Sequence, residues 1–133
     1  MTVERIFPAS APKPIGPYAP MVQAGPYIFG SAIAAFDPET GDLVGTTAYE
    51  QAKQVLHLIR TMLGNRGYGP EHLAQITVYM KNIADFDEMN RAFVEVLGEN
   101  LTARTVVEVS NLPKPEALLT MSFIAMGQWA TSF

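Results

Sequence analysis

The sequence predicts an α+β sandwich of two layers, with two helices on one face of a mixed six-stranded sheet. Three observations predict it. Segments 48–63 and 86–97 repeat apolar residues at helical spacing. Several other segments alternate apolar and polar residues, as half-buried strands do. The order along the chain is strand, hairpin, helix, strand, helix, strand, strand.

Val3–Phe7 reads as a short edge strand. Pro8, Pro12, Pro14, Pro17 and Pro20 follow it, so the connection is irregular and stiff. Met21–Ala24 and Tyr27–Ala32 flank Gly25-Pro26 and form a hairpin. Asp37-Pro38-Glu39-Thr40-Gly41-Asp42 is a second turn. The first helix opens on Thr47 and Glu50, which have capping-box spacing. Ala48, Ala52, Val55, Leu56, Ile59, Met62 and Leu63 line one face of it, and Gly67 is its expected stop. Ile76, Val78 and Met80 alternate with polar neighbours in the next strand. Asp85 and Glu88 repeat the capping spacing before a stripe of Phe86, Met89, Phe93 and Leu97, which ends at Gly98. Residues 105–110 alternate again. The last strand, about Leu118 to Met126, is apolar on both faces and is expected to be buried on both. A sheet with a second apolar face usually covers it in an oligomer.

A chain of 133 residues is expected to form one domain, spanning 1–133. Nearly half of it is apolar, enough for a packed core. No apolar run reaches the ~18 residues of a membrane span, and the N-terminus shows no signal-peptide pattern. The absence of cysteine removes thiolate nucleophiles and zinc-thiolate sites and fits the cytoplasm. A net charge of −4, with nine scattered basic residues, argues against a nucleic-acid partner. No phosphate-cradling glycine loop occurs. The two histidines, His57 and His72, have no second ligand at metal spacing.

What remains is arginine, hydroxyls and backbone. Arg104 opens an otherwise apolar strand, where its planar fork needs an acid partner. That partner is either a ligand carboxylate or an internal acid such as Glu108. Tyr18, behind the stiff Ile15-Gly16-Pro17, either presents its hydroxyl to a pocket or fills a gap between loop and core. Asn90 either caps local backbone or donates to a ligand.

Several segments together resemble the Rid (YjgF-like) family of reactive-intermediate deaminases. They are Ile15-Gly16-Pro17-Tyr18, Ser31, Asp37-Pro38 with Thr40-Gly41, Asp85-Phe86 with Asn90, Ala103-Arg104-Thr105-Val106-Val107-Glu108-Val109, and Leu112-Pro113-Lys114. The resemblance implies a chorismate-mutase-like fold, a homotrimer, and ligand clefts between subunits. It implies hydrolysis of reactive 2-enamino and 2-imino acids to 2-keto acids and ammonia, with no metal or cofactor. Arg104 matches the family's carboxylate-binding arginine. Tyr18, Ser31, Asn90 and the backbone near Val106 match other cleft positions.

The match has departures. Thr120 stands where deaminating members carry a glutamate that orients water, and Glu116 in the preceding loop is a candidate substitute. Ala32 replaces a glycine, Thr102 a proline and Val106 a cysteine. A threonine hydroxyl holds a water but does not take its proton as a carboxylate does. Three readings follow: an imine deaminase; a trimer that binds or converts another small carboxylate-bearing metabolite; and a ribonuclease, which the acidic charge disfavours.

Overall fold

The computed structural model describes residues 2–127. Six strands form one sheet, β1 (Glu4–Ile6), β2 (Met21–Ala24), β3 (Tyr27–Ile33), β4 (Leu73–Met80), β5 (Ala103–Glu108) and β6 (Leu119–Met126). Their order across the sheet is β1-β2-β3-β6-β4-β5. β4 and β5 are parallel and all other neighbours antiparallel. Helices α1 (Ala48–Gly64) and α2 (Phe86–Leu97) pack against each other over one core. α2 is the crossover between the parallel strands, which need such a connection.

The two-layer prediction therefore holds, and α1 shows why. Thr47 and Glu50 form the reciprocal capping box, and the whole predicted stripe is buried. Four donors, the N–H and O–H of Thr46 and of Thr47 with Thr46 N foremost, bond Glu50 and hold its carboxyl below the usual carboxylate range. The helix ends at Gly64 with Asn65 as C-cap, earlier than expected; Gly67, at φ +76°, belongs to the turn beyond. The second predicted cap fails. Asp85 makes no side-chain bond at the start of α2; Asn82 instead accepts from Ala84 N in the 3-10 turn before it. Glu88 reaches across to Tyr49 N on α1.

β4 begins at Leu73, ahead of the predicted Ile76, because a register shift between Leu73 and Gln75 breaks the alternation there. β5 begins at Ala103, one residue ahead of Arg104, where the sequence opens it. In β6, Leu119, Met121, Phe123 and Ala125 face the helices and are buried. Phe123 lies over Gly30 of β3, where a Cβ would overlap its ring.

The expectation that β6 is buried on both sides is corrected. On the face away from the helices, Ser122 and Ile124 are half-buried and Met126 is exposed. That face also exposes Phe29 (41%), Tyr27 (42%) and Val107 (39%), each in ladder register with it. Its apolar character was legible, but none of the described residues covers it. Among the described residues, no helix is long and apolar enough to cross a membrane.

Candidate functional site

The predicted site residues fall into two groups, on opposite faces of the sheet. Arg104 lies on β5, opposite Ile76 of β4 and on the helix side. Its guanidinium sits over the rings of Phe93 (4.9 Å to the centroid) and Phe86 (5.4 Å) and donates to Met89 Sδ at 3.6 Å. These three residues come from one stripe of α2. Phe86 and Phe93 are its outer flank and form an aromatic shelf, while Met89 is in the core. Stacking of this kind orients an arginine without neutralising it. Partial burial lowers the pKa of Arg104, and a guanidinium stays charged regardless.

The internal ion pair with Glu108 does not form. Glu108 instead accepts from Ile83 N at 2.9 Å. Among the described residues Arg104 has no carboxylate partner. Nor is it walled in as the sequence suggested, because the residue is exposed at the sheet edge. Asn90, Phe93, Leu97, Leu101 and Thr102 surround it in an open cavity of about 470 Å³. Asn90 caps nothing there; among the described residues its side chain makes no hydrogen bond. Val106 points to the helix side, half-buried against the core. Among the described residues β5 is an edge strand, so part of its backbone donors and acceptors lies outside the ladder.

The second group lines a cavity of about 510 Å³ formed by Tyr18, Ser31, Ala32, Thr120 and their neighbours. Ser31 Oγ donates to Ala19 O at 2.7 Å, and Ser31 N to Pro20 O at 3.0 Å. The serine therefore anchors the loop carrying Tyr18. Tyr18 N donates back to Gly16 O at 2.9 Å, which tightens that loop, and the residue is left 41% exposed. So Tyr18 presents its ring outward rather than plugging a core gap. Thr120 is only 9% exposed and faces this cavity from the side of the sheet away from the helices. Glu116 is exposed and does not line the cavity; its backbone oxygen accepts from Gln51.

The two histidines lie outside both cavities. His57 is exposed on α1, and His72 Nδ1 accepts from Gly69 N at 2.9 Å, holding a turn. Among the described residues, no three His, Asp or Glu side chains gather as a metal site requires.

Residues 8–127 match the family model described as Endoribonuclease L-PSP. A RutC family protein of Pyrococcus abyssi is 42% identical over 94% of this chain and 98% of its own length. The chain belongs to the Rid family. The 3-aminoacrylate deaminase RutC of Acinetobacter baylyi, another relative, is 31% identical over 94% of this chain and 98% of its own. The crystal structure of YyfA of Yersinia pestis, a protein of the conserved Rid family, superposes with a TM-score of 0.88 at 30% identity. It covers 94% of this chain and 99% of that one. The Rid fold accounts for the element order and the mixed sheet observed here.

One site feature was not read from the sequence. The sequence places Phe86 and Phe93 on the apolar stripe of a helix, and their place beneath Arg104 depends on α2 crossing to the parallel strand. Their spacing of seven on one helix face, close to two turns, was the only local signal.

Proposed function

We propose that this chain hydrolyses small 2-imino and 2-enamino acids to 2-keto acids and ammonia. It does so as a homotrimer whose clefts each take Arg104 and Asn90 from one subunit and Tyr18, Ser31 and Thr120 from its neighbour. The observation that carries this reading is the separation of the two groups. Arg104 is on the helix side of the sheet and Thr120 on the other, with no cavity residue in common. No side-chain motion within one chain unites them; in the proposed trimer a second copy, set against the open apolar face, supplies the missing half. The deaminase activity named for the Acinetobacter baylyi relative supports the same reaction here.

The chemistry asks for few parts. An enamine first becomes the imine by protonation at carbon. Water then adds to the C=N carbon while the nitrogen gains a proton. The resulting carbinolamine collapses, expels ammonia and leaves the keto group. Arg104 takes the substrate carboxylate, fixing orientation and offsetting the charge that would otherwise blunt the electrophile. The Thr120 hydroxyl accepts a hydrogen bond from the attacking water and aligns it. It does not remove the proton, so the step lacks the ~10²–10⁴-fold that a general base supplies.

The absence of any acid from the Thr120 cavity favours a second reading, a cleft that binds a carboxylate metabolite without deaminating it. Generating 2-aminoacrylate in situ and following keto-acid release decides between them. Acceleration over the spontaneous reaction is expected; none would leave the binding reading.

A further inference from the structure

Two Pro-Lys-Pro tripeptides, Pro12-Lys13-Pro14 and Pro113-Lys114-Pro115, come from opposite ends of the chain. The lysine of each, with its leading proline, lines the Thr120 cavity. Proline on both sides restricts each lysine to extended backbone, so both ammonium groups are carried on stiff supports. The second support is also pinned. Gln51, 2% exposed, accepts from Leu118 N at 2.8 Å and donates to Glu116 O, and Lys81 Nζ donates to Pro115 O. The chain carries thirteen acids against nine lysines and arginines, yet none of those acids lines this cavity. Glu39 lies in the adjoining cleft that shares Lys13, but no ion pair forms with it. Among the described residues Lys114 has no acid partner either.

A ligand with one carboxylate, taken by Arg104, would leave both lysines unmatched. We propose that the preferred ligand carries a second carboxylate, bound by Lys13 and Lys114, which makes the substrate class the 2-imino dicarboxylic acids. The prolines favour carboxylate over phosphate, since they lack the backbone N–H groups with which phosphate-cradling loops close on their ligand. This inference rests on the inter-subunit cleft read above.

The test compares stable keto acids binding to the full chain by calorimetry: 2-oxosuccinate and 2-oxoglutarate against 2-oxobutanoate. At least one diacid is expected to bind about tenfold or more tightly than the monoacid. Raised salt should narrow the gap, as should Lys13→Gln and Lys114→Gln combined. Equal affinity of wild type for all three acids overturns the proposal, and that comparison needs no variant to fold. Hydrolysis of the imines made by amino-acid oxidases from aspartate and from alanine separates this inference from the reaction itself. Diacid preference without imine turnover upholds the ligand class and contradicts the deaminase. Equal turnover of both imines does the reverse. Binding of none of the acids contradicts both.

Discussion

The two faces of the sheet are both apolar in sequence and yet differ completely in what they do. The helix face is closed: Met21, Ile28, Ile76, Val78, Met80, Leu119 and Met121 are fully buried beneath α1 and α2. The far face carries Tyr27, Phe29, Val107 and Met126 in the open. The helix face makes the chain fold, while the far face is a surface that a second copy can cover. The candidate site residues follow the same division, with Arg104 at the edge of the closed face and Thr120 on the open one. In the proposed trimer a site divided in this way is completed by association, which would let its residues be exposed, unpaired and still functional.

The largest effect expected concerns the guanidinium. Arg104→Ala should lower kcat/KM for an imino acid about 10³-fold (~4 kcal/mol), since the substrate carboxylate loses its only charged partner on that side. Because Arg104 holds no internal ion pair, the melting temperature should move by no more than a few degrees. A large drop in melting temperature would instead make it a structural residue.

Truncation next separates the two faces. Met121→Ala, beneath the helices, should cost about 3 kcal/mol in denaturant unfolding. Phe29→Ser, on the open face, should cost the isolated chain less than about 1 kcal/mol and show itself as dissociation in sedimentation. Equal losses of stability in a dissociated chain would contradict the contrast between the faces.

Thr120→Glu sharpens the division within the site. If the missing proton acceptor limits turnover, kcat should rise about tenfold or more. An unchanged kcat would mean the water lies elsewhere.

The smallest effect belongs to neither face. Thr47→Ala should cost about 1 kcal/mol by removing the α1 cap. The capping bonds also hold the folded Glu50 pKa below its ordinary value. Their contribution is therefore complete at neutral pH, above the ordinary carboxylate range. It fades as pH falls through the lowered value, and thermal melts across an acid series should show the wild-type advantage shrinking in that direction.

Much of this was legible because local physics specifies it. Thr47, Glu50 and the stripe from Ala48 to Leu63 gave α1 almost to the residue. Alternation gave β4 and β5, the Gly25-Pro26 turn signal gave the β2–β3 hairpin, a continuous apolar run gave β6, and the residues Ile15 to Tyr18 with Ala103 to Val109 gave the family. What escaped was tertiary. Asp85 and Glu88 have the spacing of a cap, but Asn82 caps the preceding turn and α1 draws Glu88 away. Leu73 joins β4 through an irregular register that periodicity does not register. Arg104 was expected to need an internal or ligand acid because its sequence neighbours are apolar, yet the edge position of β5 leaves it in contact with solvent. Above all, one strand's pattern shows that β6 has two apolar faces without showing which of them the chain itself can cover.

The central claim, a site shared between copies, is tested most directly by hybrid oligomers. Arg104→Ala subunits keep the Thr120 cavity, and Ala32→Trp subunits, whose indole plugs that cavity, keep the arginine. Each pure variant should be inactive toward the imino acid. Refolded together in equal amounts, they should recover about a quarter of wild-type activity, since one cleft in four then draws both intact halves from different subunits. A mixture as inactive as its parents, in oligomers shown to be mixed, would mean that arginine and cavity never meet across an interface.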